Sequence, residues 1–271
     1  MNILSPEKKL SVIAALVEGN SVRSTERMTG VHRDTICRLL VETGDHCAEI
    51  MDSTMRNLRC QYVQCDEIWT FVGKKARQIQ YGDSVELGDQ WVFVAMDEPT
   101  KLIPVFTVGK RNEETTWYFL NELAERVSTR MQITTDGFVF YRRMVPETFG
   151  TDVDFAQLVK LYGEWGQHDA EGKYSPSRIV EVISKVREGE PEPRHICTSH
   201  VERQNLTMRM AMRRFTRLTN AFSKKLTNLK AACALHFAHY NFVRVHSSLR
   251  VTPAMAAGIA SEIWPLSALL S

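Results

Sequence analysis

The stretch YVQCDEIWTFV (62–72) is typical of a buried β-strand, and it carries two adjacent carboxylates in its middle. A carboxylate inside a strand loses hydration energy unless it is paired or coordinates a metal. Because side chains alternate along a strand, Asp66 and Glu67 point to opposite faces of the sheet. Only one of the two can therefore join a given site. The alternative for Asp66 is an edge strand with the side chain in solvent.

Two further acidic residues stand where predicted elements end or begin. Asp136 follows a strand-like run in TTDG (134–137), although Asp-Gly is also a common turn pair. Glu202 lies in SHVERQN (199–205), which opens a helix. Ser199-x-x-Glu202 also matches a capping box, in which the glutamate only satisfies the helix start. Each acid alone has a structural explanation. Whether the acids form one site therefore depends on the order of the secondary-structure elements.

The spacing of apolar residues predicts that order. The predicted strands are 62–72, 90–96, 102–108, 132–135 and 155–161, and the predicted helices are 113–127, 138–145 and the segment from 199 onward. Between them, 163–198 is rich in Gly, Pro and charge, and we expect one short helix there at 177–186. The order βββαβαβα is that of an α/β ribonuclease-H-like fold, a mixed sheet flanked by helices. In such a fold the three acids converge.

The first 41 residues predict three short helices with a glycine in the turn before the last. Ser5-Pro6 opens the first helix, residues 22–28 form the second and 32–41 the third. This is the pattern of an all-α helix-turn-helix module, which places the start of its last helix in the major groove of DNA. The predicted DNA contacts are His32, Arg33, Thr35 and Arg38. A small helical cap packed on the main domain is the alternative.

These elements divide the chain into four parts. We expect a helix-turn-helix module at 1–45, a connector at 46–60, a catalytic domain at 61–250 and a C-terminal tail at 251–271. The segment 163–198 is then an insertion before the catalytic helix.

The net charge of +2 conceals a strong asymmetry. Ten of the 34 Lys and Arg residues lie between 203 and 250, where there is no Asp or Glu. A long stretch whose charges are all cationic usually faces a polyanion, whereas a solvated helix face would mix both signs. We expect this stretch to bind double-stranded DNA through Arg203, Arg213, Arg214, Arg217, Lys224 and Lys225.

The six cysteines show no CxxC pair and no Cys/His pattern with zinc spacing. They predict free, mostly buried thiols in a reducing compartment. No apolar run is long enough to cross a bilayer, and the start has no signal-peptide layout. A cytoplasmic protein without a membrane partner is expected.

Three carboxylates delivered in this way can hold two divalent cations, Mg²⁺ or Mn²⁺, against a phosphodiester. Asp66 would bridge both ions, Asp136 would complete one site and Glu202 the other. Arg209 lies two helical turns after Glu202 on the same face and can contact the neighbouring phosphate. His200 is close enough to assist positioning or proton transfer, although a lone histidine is more often structural.

The chain resembles the DDE transposases of bacterial insertion sequences, most closely the insertion-sequence-one family. The resemblance lies in CDEIWTFVGKK (65–75), TTDGF (134–138), DFAQLVKLYG (154–163), SHVERQNLTMRMAMRRFTRLTNAFSKK (199–225) and HYNFVRVHSSLRVTPAMAAG (239–258). The residues from 19 to 40 also look like that family's helix-turn-helix, so nearly the whole chain is covered.

The resemblance implies a transposase that cuts at its element's terminal inverted repeats and joins the 3′ ends to target DNA. It places the family's acidic triad on Asp66, Asp136 and Glu202 and the following basic residue on Arg209. Arg244 and His246 belong to a C-terminal helical pattern beside the catalytic core. Joining two ends in concert requires a homodimer or higher homo-oligomer on DNA, associated with the bacterial nucleoid when bound.

Two other functions remain open at this point. A regulator derived from a transposase would use the helix-turn-helix alone, without catalysis. A ribonuclease of the same fold would cut RNA–DNA hybrids, but it would need neither a duplex reader nor a long cationic stretch.

Overall fold

A six-stranded mixed sheet forms the centre of the molecule in a computed structural model that describes residues 4–162, 179–216 and 219–270. The strands are β1 (Tyr62–Val72), β2 (Gly88–Asp97), β3 (Val105–Gly109), β4 (Met131–Thr135), β5 (Val153–Tyr162) and β6 (Ile179–Glu188), in the order β3-β2-β1-β4-β5-β6. β1 is antiparallel to β2 and parallel to β4, and β4 is parallel to β5. The predicted mixed sheet flanked by helices is confirmed.

The helices cover both faces of this sheet. They are α1 (Pro6–Val17), α2 (Val22–Thr29), α3 (Arg33–Thr54), α4 (Glu113–Arg126), α5 (Val139–Phe149), α6 (Ser199–Ala211), α7 (Leu226–Ala238) and α8 (Pro253–Ala256). α4 and α5 pack on one face, and α6 packs on the other against β1 and β2. β1 is therefore covered on both sides, which explains its nearly continuous apolar character.

β6 corrects the prediction of a short helix at 177–186. From residue 179 onward this segment is a strand, antiparallel to β5 along its length; residues 177 and 178 lie outside the described part of the chain. Its β-branched residues, Ile179, Val180, Val182, Ile183 and Val186, favour an extended backbone over a helix. The sheet consequently has one strand more than predicted.

The N-terminal helices are present, but the third is longer than expected. Gly30 ends α2 in the left-handed conformation (φ 69°), which allows the tight turn into α3. α3 then runs for 22 residues, into the predicted connector as far as Thr54, and packs along α7. At their crossing Gly44 lies directly against Ala231. Whether residues 1–45 act as a DNA-binding helix-turn-helix stays a prediction.

The basic stretch after Glu202 is not one helix, which corrects a second expectation. α6 ends at Ala211 because Met212 adopts an extended conformation, and a 3₁₀ turn at Arg213–Phe215 follows. The C-terminal residues pack onto the rest of the chain, with Trp264 stacked on Phe242. None of the helices in the described ranges has both the length and the apolarity to span a bilayer.

Candidate active site

Two strand ends bring the first two acids together. The last parallel pair between β1 and β4 joins Cys65 to Thr135. Asp66 and Asp136 come next on these adjacent strands, whose spacing is about 4.8 Å. β1 lies inside the sheet, so the edge-strand alternative for Asp66 does not apply.

The electrostatics of Asp66 show that the third acid also lies near. Burial raises the pKa of Asp66 to about 7, and the negative charges of Asp136 and Glu202 add to the rise. Asn205, one turn after Glu202 on α6, donates from Nδ2 to Asp66 Oδ2 at 2.7 Å. The carboxylates of Asp136 and Glu202 therefore lie near enough to Asp66 to influence its ionisation.

Asp136 keeps the turn role foreseen for it, but with one oxygen only. Its Oδ1 accepts a hydrogen bond from the backbone N–H of Phe138 at 2.8 Å. Its Oδ2 lies 3.5 Å from the Arg111 guanidinium, which stacks over the Phe138 ring at 4.0 Å. Oδ1 of Asp136 is thus held in the turn, and Oδ2 interacts with Arg111.

Glu202 does not form the capping box. The N-cap of α6 is Thr198, and Glu202 accepts from the Thr198 hydroxyl and from Lys160 Nζ. The helix start is satisfied from β1 instead, because Gln64 Oε1 accepts from the N–H groups of His200 (3.0 Å) and Val201 (3.2 Å). Glu202 is therefore not required at the helix start, and Thr198 and Lys160 hold its carboxylate.

Glu67 lies on the opposite face of the sheet, as the alternation along β1 predicted. It is buried against Tyr141 of α5, whose hydroxyl donates to it, and its other oxygen accepts from Arg111 at 3.0 Å. Burial raises the pKa of Glu67 to about 8, with a further contribution from Asp136. Arg111 therefore links Glu67 to Asp136.

The donor set fits a hard divalent cation. Carboxylate and amide oxygens are the ligands that Mg²⁺ and Mn²⁺ prefer. Asn205 Oδ1 is buried and has no hydrogen-bond partner within the described ranges, and a buried oxygen of this kind normally has one. Asp66, Asp136, Glu202 and this amide oxygen are the groups that could hold cations.

The other predicted residues of α6 and its surroundings are distributed over several environments. His200 does not contact the acids: its Nδ1 lies 3.1 Å from Lys101 Nζ and its Nε2 3.7 Å from Glu98. Arg209 is half-buried on α6. The exposed basic residues are Arg203, Arg213, Lys224 and Lys225.

Two predicted DNA contacts differ from these. Arg214 points inward and donates to Ser223 Oγ at 2.9 Å, and burial lowers the pKa of its guanidinium. Arg217 lies outside the described residues. Arg214 is therefore not available as a surface contact for DNA.

The predicted reader residues occupy the first turns of α3. His32 caps the helix, its Nδ1 accepting from the N–H of Asp34 at 3.3 Å. Arg33 and Arg38 are exposed, and Arg38 donates to the Thr35 hydroxyl at 3.3 Å. The structure thus presents these side chains on the surface and does not test what they bind.

Sequence reasoning missed the partners of the acids. Arg111, Lys160 and Asn205 reach them from three different parts of the chain. Only Asn205 carried a local signal, since it lies three residues after Glu202 and hence on the same helix face.

Comparison with known proteins gives remote structural similarity only. No family model matches the chain, and no curated protein matches it. A piggyBac transposase synaptic complex with hairpin DNA is similar at 10% identity and a TM-score of 0.47, covering 99% of this chain and 70% of the other. The Mos1 transposase paired-end complex with the left transposon end is 12% identical, with a TM-score of 0.25, covering 57% and 60%. The Mos1 strand transfer complex is 13% identical, with a TM-score of 0.23, covering 57% and 59%.

These solved structures are transposases, and the chain spans about three fifths of the Mos1 chains. At such identities and TM-scores the similarity assigns neither a family nor an activity to this chain.

Proposed function

We propose that this chain is the DNA transposase of an insertion sequence, which cuts its element's ends and transfers the 3′ ends into target DNA. The observation that carries the proposal is the convergence of Asp66, Asp136 and Glu202, whose mutual repulsion contributes to the raised pKa of Asp66. A site that gathers negative charge in a buried position is suited to divalent cations.

Two Mg²⁺ or Mn²⁺ ions held there would activate the attacking water or 3′-hydroxyl and stabilise the departing oxygen. The chain's own residues prepare the site. Asn205 orients Asp66, the turn at Phe138 fixes one oxygen of Asp136, and Lys160 neutralises Glu202.

The DNA partner is assigned from exposed charge. Arg203, Arg213, Lys224 and Lys225 are exposed in a part of the sequence without acids, and Arg209 follows Glu202 on the same helix. Such contacts position a duplex without reading its sequence. We assign recognition of the terminal inverted repeats to His32, Arg33, Thr35 and Arg38, and concerted cutting of two ends to a homodimer or larger assembly on bacterial DNA.

The proposal is tested with duplexes carrying the inverted repeats that flank the gene. Asp66→Asn should abolish Mg²⁺-dependent cleavage and weaken Mn²⁺ binding measured by calorimetry, while duplex binding stays near that of the parent. Asp45→Asn is the matched control, since this exposed acid lies on α3, outside the site, and should retain cleavage. Equal cleavage by Asp66→Asn and the parent contradicts the assignment of the acids.

Recognition is tested separately. Arg33→Ala combined with Arg38→Ala should weaken binding to the element end more than to a random duplex. An equal loss on both duplexes would show that the start of α3 does not read sequence.

A further inference from the structure

A second cluster of metal-binding side chains lies where β2 ends and α6 begins. Glu98, Cys197 and His200 each offer a ligand atom, and these three atoms lie within 4.8 Å of one another. All three residues are half-buried. Cys197 and His200 are close in sequence, whereas Glu98, just after β2, lies about a hundred positions earlier and could not be connected with them by spacing.

A fourth donor lies beside them. His195 Nδ1 is 3.2 Å from Glu98 Oε1, and His200 Nε2 is 3.7 Å from the same oxygen. Four ligands around a tetrahedral zinc, at bonds of roughly 2.0–2.3 Å, are separated from one another by about 3.3–3.8 Å. The three clustered donors lie within 4.8 Å of one another, so they would have to move closer together around a bound ion, and His195 would have to join them from beside Glu98.

Contacts outside the cluster hold these side chains in place. The His195 ring stacks on Tyr62 with centroids 3.6 Å apart and planes 11° apart. Gln64 Nε2 donates to Cys197 Sγ at 3.0 Å and to Glu98 Oε2 at 3.3 Å. Metal sites depend on outer contacts of this kind to orient their ligands.

We propose that Glu98, His195, Cys197 and His200 bind one Zn²⁺, at a site separate from the three acids. Thiolate and imidazole donors favour zinc, whereas the all-oxygen donors around Asp66 favour Mg²⁺ or Mn²⁺. The pattern His195-x-Cys197-x-x-His200 supplies three ligands from one short segment, and Glu98 joins that segment to the sheet. The inference does not depend on the proposed function.

The position of the site defines its effect. His200 lies in the first turn of α6, two residues before Glu202, and Gln64 holds that turn through the N–H groups of His200 and Val201. Bound zinc would cross-link the end of β2 to the start of α6. It would thus fix the helix turn from which Glu202 reaches the acids.

The same distances also describe a metal-free network, in which Lys101 donates to His200 Nδ1 and the Nε2–H group faces Glu98. Purification of the full-length chain from a medium containing Zn²⁺, without chelator, distinguishes the zinc site from this metal-free network. Elemental analysis should give one zinc per chain. Replacement by Co²⁺ should give a thiolate-to-cobalt charge-transfer absorption and the strong visible bands of tetrahedral cobalt.

Cys197→Ser should remove the charge-transfer absorption, and His200→Ala should reduce the zinc content severalfold. Cys37→Ser is the control, since this half-buried thiol lies on α3 and should leave both readings unchanged. Removal of zinc from the parent should also increase protease cleavage near the start of α6. Zinc at background level in the parent, together with no cobalt–thiolate absorption, overturns the proposal and leaves the hydrogen-bonded network.

Discussion

Asp66→Asn should stabilise the folded chain at alkaline pH when no divalent cation is present. The pKa of Asp66 is raised from 3.8 to about 7, first by burial and then by Asp136. At about 1.36 kcal/mol per pKa unit, this shift of about 3 units corresponds to about 4 kcal/mol of lost stability once the group is ionised.

The sign follows from proton binding. The folded state holds the Asp66 proton more tightly than the unfolded state, so ionisation of this group lowers stability as the pH rises from about 4 to about 8. Asparagine has no such titration and can still accept the hydrogen bond from Asn205. The variant should therefore match the parent near pH 4 and exceed it by up to about 4 kcal/mol near pH 8.

The measurement is urea unfolding in the presence of a chelator at several pH values. Asp45→Asn is the matched control, an exposed acid on α3 whose loss should change stability by less than about 0.5 kcal/mol. Adding Mg²⁺ at about 100 times its dissociation constant should raise the free energy of unfolding of the parent by about 2.7 kcal/mol. The difference in stability between Asp66→Asn and the parent should then become smaller. If the variant gains nothing near pH 8 in chelator, Asp66 is not buried among like charges.

Three further predictions concern packing, a buried hydrogen bond and DNA contacts. Gly44→Ala places a Cβ 2.5 Å from Ala231 Cα and should cost about 1–3 kcal/mol in urea unfolding; adding Ala231→Gly does not remove that backbone clash and should restore little. Tyr141→Phe should lower the free energy of unfolding by about 1–3 kcal/mol, because the buried carboxyl group of Glu67 loses its hydroxyl partner. An unchanged midpoint in thermal unfolding would argue against that contact. Arg203→Ala with Lys224→Ala should weaken binding equally on all duplexes and reduce the slope of log affinity against log salt by about 2, whereas an unchanged slope would exclude phosphate contacts.

The sequence predicts the centre of the sheet well, because the strongest pattern lies there. The apolar run at 62–72 is bounded by polar residues, and the structure gives β1 those same ends. Opposite faces for Asp66 and Glu67 follow from the alternation alone, and their contacts with Asn205 and Tyr141 agree.

Contacts between residues far apart in sequence could not be predicted from local sequence patterns. The segment of β6 is predicted as a helix, and its pairing with β5, which no local pattern reveals, decides its conformation. The side chain of Arg111 reaches Asp136 from the loop before α4, and no spacing in the sequence connects the two. The same is true of Glu98 and Cys197, which meet only because β2 ends beside the start of α6.

The length of α3 has a mechanical consequence. A helix of 22 residues is about 33 Å long, and this one has no proline within it, so it behaves as a rigid rod. Its first turn carries Arg33 at the surface, and its middle is locked against α7 at Gly44. A ligand bound to the first turn of α3 therefore fixes the orientation of the sheet relative to the ligand. One residue inserted between Arg33 and Gly44 would rotate the first turn relative to the sheet by about 100°.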